Sequence, residues 1–320
     1  VYLPQPKGAG MTSPMTPDSD NAASAEAVKD DEVAGTSARP ARAKRRREWA
    51  RPVTLISALF LFALVLAAVF APWVSPHDPN AQDLVSRFMA PSAEHWLGTD
   101  DYGRDVMSRL IFGARVSLLA AVQAVGITLV AGLPLGILSG YFGGWLDAVL
   151  SRVMDALMSV PSLVLALSVI AVLGPGVTNA MLAVGVVLTP RTYRVARAST
   201  IEVRNDTYIE AARAVGCSTP RLMVRNILPN VTPPIVLVTA VSFGTAVAAE
   251  ASLSFLGLGV RPPTASWGSM LKEAASNMSQ EPLLVWPPGL AIFATVLAFT
   301  YVGEGLRAAM QRSRSNGAES

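Results

Sequence analysis

The chain has 320 residues, of which 51% are hydrophobic and only 15% charged, and its mean hydropathy of +0.41 excludes an ordinary soluble domain. Its formal net charge of +3 does not point to nucleic acid, because the basic residues sit mostly beside apolar stretches of membrane length, where they set orientation. The single cysteine, Cys217, excludes an intrachain disulfide, and no G-x-x-x-x-G-K-S/T surrounds Lys7, Lys29, Lys44 or Lys272, so any ATP used must be bound by another chain.

Residues 1–50 are rich in Ala, Ser, Pro and charge, too poor in large apolar groups to offset their ordering entropy, and are expected to form a disordered arm. The arm ends in Lys44-Arg45-Arg46-Arg47, directly before the uncharged run Val53 to Val74, which is long enough to span a bilayer. That run exceeds the roughly 15 residues of a signal-peptide core, which argues against cleavage. The basic cluster puts its start in the cytoplasm, so the first span runs outward.

From Ser75 to Phe112 the chain is polar with an acidic excess, as suits an outer face. Thr99 or Asp100 is expected to cap an amphipathic helix whose Val106, Leu110 and Ile111 lie against membrane or bundle. His77 and His95 have no further ligands at metal spacing along the chain and read as surface residues, so no metal site is expected. The run from Leu97 through Gly98-Thr99-Asp100-Asp101-Tyr102-Gly103-Arg104-Asp105 to Val106, continued by Ser108-Arg109 and Gly113 to Leu118, is similar to the signature before the second span of C-type dipeptide and oligopeptide permeases.

A second span is expected over Val116 to Tyr141, where Gly126, Gly132, Pro134, Gly136 and Gly140 point to close helix contacts and a bend. A short cytoplasmic loop, Phe142 to Arg152, leads to a third span from Val153 to Leu173. Asp155 lies near its cytoplasmic end. A carboxylate at mid-bilayer costs about 2.5–3.5 kcal/mol, which would mark a proton relay, but at this depth Asp155 can reach headgroups or pair with Arg152. Gly174-Pro175-Gly176 makes an outer turn, and a fourth span, Val177 to Thr189, continues into water as a helix bearing Arg191, Arg194, Arg197 and Arg204. Counting and charge agree that this end is cytoplasmic.

Residues 206–229 carry two helix signals back to back. Thr207 and Glu210 are spaced as a capping box, and Gly216 suits the left-handed residue that ends a helix. Thr219 can cap a second helix with Pro220 at its first position. Glu210-Ala211-Ala212, then Gly216, then Leu228-Pro229, resembles the EAA loop of ATP-binding-cassette (ABC) importer permeases, with Asn226 standing where that family usually has an apolar residue. A fifth span is expected over Val231 to Ala249. The stretch Glu250 to Val260, with Pro262-Pro263 and Trp267-Gly268, again resembles the C-type peptide permeases. Glu250 is a candidate substrate contact whose residue type favours a buried hydrogen bond, while Trp267 and Trp286 suit an outer interface. The last span covers Pro288 to Val302, and Gly303-Glu304-Gly305-Leu306-Arg307 is similar to the family's ending, although Ala308-Ala309 replaces the Asp-Pro that often follows.

The resemblance implies an all-α, polytopic membrane protein of six transmembrane helices with the type I ABC importer (MetI-like) permease fold. Its parts would be the arm 1–50, a first span and outer segment 51–114, a permease domain 115–308 holding the coupling loop 206–229, and a tail 309–320. It implies no catalytic residue and no cofactor on this chain; ATP and magnesium would sit on partner ATPase subunits. Glu210, Ala211, Ala212, Gly216, Leu228 and Pro229 would couple to those ATPases. The other implied partners are a related B-type permease in a heterodimer, an extracellular substrate-binding protein and membrane lipid, without nucleic acid. The site would be a bacterial cytoplasmic membrane with both termini in the cytoplasm. A nickel-type permease of the same group shares these motifs. An ion-coupled secondary transporter would need a buried ionisable pair and an internal repeat, neither of which is visible.

Overall fold

The computed structural model describes residues 40–317, with side chains over 52–310. The chain divides into two units, 1–50 and 51–320, and the architecture below is that of the second. The disorder expected for the arm falls, over residues 1–39, outside the described residues. Among the described residues all regular structure is helical, apart from one isolated bridge between Thr99 and Asp105.

Helix α1 covers Pro40–Val69, so it begins before the expected start of the first span, and a single turn α2, Ala71–Val74, follows it. Most of α1 beyond Pro52 faces outward: Leu55, Ile56, Leu59 and Phe62 are exposed, and only Ser57 and Ala68 are buried. An apolar helix so little covered by the rest of its own chain has the surface of a membrane span.

Helix α3, Val106–Phe142, is continuous, so the expected outer amphipathic helix and second span are one element about 55 Å long. Its cap is Asp105, further along the chain than Thr99 or Asp100: the Asp105 carboxylate accepts from the Ser108 amide at 2.7 Å. Thr99 and Asp100 are instead consumed by the preceding loop, where the Asp100 carboxylate accepts the amides of Tyr102 and Arg104.

The expected loop 142–152 and straight third span 153–173 need correction. Gly143 and Gly144, both at positive φ, make the whole turn, and helix α4 begins at once, Gly144–Ser159. Helix α5, Ser162–Leu173, leaves it at 97°. Pro161 explains the break, since it cannot donate to the helix and drives Val160 to the extended conformation observed there.

Helix α6, Val177–Arg204, forms the most extensive helix pair of the fold with α3. Three glycines one turn apart permit it. A Cβ on Gly136 would lie 2.6 Å from the Tyr193 carbonyl oxygen, and on Gly132 or Gly140 2.9 or 2.7 Å from the carbonyls of Thr189 or Arg197. Backbones meet here with no side chain between them, as in small-residue membrane interfaces. Among the described residues four helices are long and apolar enough to cross a membrane by themselves, and the bent pair makes five if it is one span. Helix α6 is apolar only over residues 177–189 before Arg191 and Arg194, and that half is buried at Ala180, Met181, Ala183, Val184 and Leu188. Protein rather than lipid meets its apolar half.

After α7 (Thr207–Ala214) and α8 (Thr219–Leu222), a π-helical turn, Met223–Ile227, leads straight into α9, Leu228–Phe255. The helix that carries the fifth span therefore begins before Val231, as one continuation of the coupling stretch. Helix α10 is Trp267–Ser276 and α11 is Trp286–Gly317. Trp286 is exposed as expected of an interface residue, whereas Trp267 is 1% exposed and donates its Nε1 to the Leu110 carbonyl at 3.0 Å. Trp267 belongs to the core, because α10 folds back over the start of α3.

Candidate functional site

Helix α7 sits at the far end of α3 from Asp105, and three kinds of contact hold it there. Ile209, Leu222 and Ile227 are fully buried in a cluster with Ile137, Ala196, Val203 and Val231. The Arg213 guanidinium lies over the Tyr141 ring, 5.0 Å from its centre. Arg204 donates Nη1 to the carbonyls of Gly140 and Tyr141, both at 3.0 Å, satisfying the open end of α3. Asn230 of α9 donates its amide to the Tyr208 hydroxyl at 3.0 Å, so α7 is tied to α3, α6 and α9 together. Partial burial, and secondarily Asp206, push the Tyr208 phenol above its ordinary value.

The start of each short helix differs from expectation by one residue. Asp206 is the N-cap of α7, its carbonyl accepting the amides of Ile209 and Glu210 at 3.0 and 3.3 Å, and no side chain caps that end. Thr207 becomes the first helical residue, so the capping box with Glu210 does not form. Ser218, likewise, precedes α8 in place of Thr219, which moves Pro220 to the second helical position. In both cases two adjacent residues can cap, and the earlier one lengthens the helix.

Gly216 is where the sequence puts it. Its φ is +79°, and the Cys217 amide returns to the Ala212 carbonyl at 3.0 Å while the Gly216 amide reaches Arg213 at 2.9 Å, the paired bonds of a Schellman ending. Of the residues expected to couple, Glu210, Ala211, Gly216 and Pro229 are exposed, and Ala212 and Leu228 are partly buried. Beside them Val215 is 86% and Val224 66% exposed, among the exposed Arg213, Arg221 and Arg225. The corner thus presents apolar and basic groups on a rigidly seated base. These apolar and basic side chains form one exposed patch around Gly216.

Other titratable groups are engaged within the chain. Both Glu250 oxygens accept hydroxyls, from Ser117 at 2.8 Å and Ser254 at 2.7 Å, and the residue is 1% exposed, so the buried hydrogen-bonded alternative is the one observed. Asp155 pairs at 2.7 Å with Arg194 of α6, not with Arg152, and both side chains are about half exposed, which is a surface ion pair rather than a relay. Asp147 accepts from Arg197 through Nε and Nη2 and from Ser139 and Ser151, linking α4 to α6.

At the opposite end of α3, Glu273 of α10 joins two buried arginines, Arg104 and Arg109. Its Oε2 accepts from Arg104 at 2.8 Å and Arg109 at 2.9 Å, and Asp100 accepts from Arg104 Nε at 2.6 Å. Burial pushes the Glu273 carboxyl up, outweighing the pull of Arg109 and Arg104 downward. An open cleft of about 690 Å³ borders this network, with Tyr102, Arg261 and Lys272 in its wall. No local signal could reveal Glu273, because it meets Arg104 across 169 residues of chain.

Comparisons with known proteins agree with this architecture. Residues 132–316 match the family described as binding-protein-dependent transport system inner membrane component, and residues 45–91 match the N-terminal transmembrane domain of oligopeptide transport permease C. The chain is 41% identical to a probable D,D-dipeptide transport system permease protein of Escherichia coli, over 80% of this chain and 86% of that one. It is 42% identical to a glutathione transport system permease protein of Shigella sonnei, over 83% and 88%. A dipeptide transport system permease protein of Alkalihalophilus pseudofirmus is 38% identical over 81% and 85%. Among solved structures, an inward-facing methionine ABC transporter matches with a TM-score of 0.53 at 19% identity, covering 63% of this chain and 97% of that one, which is a likeness of fold.

Proposed function

This chain belongs to the family of binding-protein-dependent transport system inner membrane components, and from that premise we propose that it is the C-type permease subunit of an ATP-driven importer of dipeptides or oligopeptides. The observation that carries the reading is the corner at Gly216: exposed apolar and basic groups on a helix pair whose buried side is locked to α3, α6 and α9. A surface so placed passes a push from an ATPase groove into the spans with little give. Partner subunits bind ATP and magnesium, a B-type permease completes the translocation path, and an extracellular binding protein delivers substrate. ATP-driven closure of the ATPases then moves the α7 corner and reorients the spans around a shared path, alternating access without bond chemistry on this chain.

Proteoliposomes holding the complete complex test this. Uptake of a labelled dipeptide or oligopeptide supplied on its binding protein should require ATP and survive collapse of ion gradients. Uptake driven by a proton or sodium gradient without ATP would overturn the importer reading, and ATP-driven uptake confined to nickel would overturn the substrate class.

The same reading places residues 206–229 and both termini in the cytoplasm. Cys217, beside the corner and partly exposed, reports on this. An impermeant thiol reagent should label it in inverted membranes and leave it unmodified in intact cells; labelling in intact cells would reverse the topology.

A further inference from the structure

The two histidines of the chain, separated by 18 positions, meet over one carboxylate. The His77 and His95 rings lie 4.9 Å apart, with His95 Nδ1 3.0 Å from Asp105 Oδ1 and His77 Nδ1 3.9 Å from Asp105 Oδ2. One donor atom from each residue lies within 4.8 Å of the other two. We propose that His77, His95 and Asp105 bind a borderline transition-metal dication, Zn²⁺ by chemical class, which fastens the segment 75–105 to the start of α3.

Geometry, donor type and surroundings each support that assignment. Zinc bonds to imidazole nitrogen and carboxylate oxygen are about 2.0–2.2 Å, so tetrahedral donors stand roughly 3.4 Å apart. The two measured separations lie on either side of this, and small side-chain rotations would equalise them. Two imidazoles and a carboxylate suit zinc and its neighbours far better than magnesium or calcium, which take oxygen donors. Asp105 is 2% exposed and held in orientation by Ser108, whose amide and hydroxyl donate to Oδ2 at 2.7 and 2.6 Å. Ser108 Oγ also accepts the His77 amide at 3.0 Å, so one outer residue orders two ligands, as second-sphere partners of metal sites do. His77 Nδ1 is itself buried and makes no hydrogen bond among the described residues, the nearest Asp105 oxygen standing 3.9 Å away. Both histidine rings keep an accessible edge, with side-chain exposures of 36% and 15%, which gives an ion a route in. Nothing in the linear sequence shows the site, since its third ligand is the cap of α3 and only the loop's return brings the rings to it.

The test uses the full chain in lipid nanodiscs, purified on a tag without histidine and stripped with a chelator. Zn²⁺ should bind with a stoichiometry of one against a chromogenic competitor, and Co²⁺ should show the intense visible bands of a four-coordinate ion. His77→Ala and His95→Ala should each weaken Zn²⁺ binding by at least tenfold, since even loss of an outer-sphere partner costs about 10- to 100-fold. Cys217→Ser should change nothing, and Zn²⁺ should raise the unfolding temperature of the wild type and of Cys217→Ser but of neither histidine variant. Substoichiometric zinc, a six-coordinate Co²⁺ spectrum, or unchanged binding in the doubly substituted chain would overturn the site. The wild-type stoichiometry and spectrum decide the matter even if a variant fails to fold.

Discussion

Gly216→Val is expected to leave the spans inserted, weaken retention of the ATPases, and cut substrate-stimulated ATP hydrolysis roughly 5- to 30-fold. Gly216 holds φ at +79°, and a Cβ built there meets nothing within 4 Å, so the penalty is one of backbone conformation alone. A left-handed residue other than Gly costs about 1–2 kcal/mol, and a β-branched one is a genuine outlier. That energy corresponds to a roughly 5- to 30-fold smaller population of the docking-competent corner. Because the surroundings are open, Gly216→Asn should recover most of the coupling, as Asn tolerates the left-handed region. Glu210→Gln should retain more activity than Gly216→Val. Its side chain is exposed and makes no hydrogen bond among the described residues, so a loss of coupling would point to contact with a partner. Reconstituted complexes with matched membrane amounts, assayed together for ATPase retention and transport, decide between the two residues. If Gly216→Val couples like wild type while Glu210→Gln does not, the corner is incidental and the carboxylate is the contact that matters.

Glu273→Ala should be the most destabilising single change at the other end of the molecule, by about 3 kcal/mol. The side chains of Arg109 and Arg104 are only 2% and 4% exposed, and Glu273 Oε2 accepts from both. Removing it leaves two buried guanidiniums sharing Asp100, with Asp101 3.5 Å from Arg104, where breaking a buried pair costs about 3–5 kcal/mol; the surviving Asp100 and Asp101 contacts place the expectation at the lower bound. Burial raises the Glu273 carboxyl despite both arginines, so the network gives up much solvation when it forms. Glu273→Gln keeps an acceptor without the charge and should fall between wild type and Ala. Unfolding of the full chain in detergent, followed by tryptophan fluorescence, reads this directly, since buried Trp267 opens the same helix. An Ala variant as stable as wild type would mean that the arginines find other partners.

Much of this molecule follows from local rules that act within a few residues. Apolar runs of membrane length announce α1, α3, α9 and α11, because a bilayer demands about 20 such residues whatever packs beside them. The Gly216 corner was legible for a similar reason: a positive φ is a property of one residue and its immediate turn. Pro161 carried an equally local signal for the break between α4 and α5, one that an expectation of a straight span passes over. The starts of α7 and α8 were legible to within one residue, because Asp206 and Thr207, or Ser218 and Thr219, can each cap, whereas the start of α3 lies at Asp105, beyond the Thr99 and Asp100 that the loop consumes. What tertiary structure alone decided are the pairings across long stretches of chain. Glu273 with Arg104 and Arg109, Asp155 with Arg194, Trp267 in the core, and His77 with His95 over Asp105 all depend on how the chain returns upon itself. Charge and residue type state that each of those groups needs a partner once water is removed, but only the packing of helix on helix states which partner is within reach.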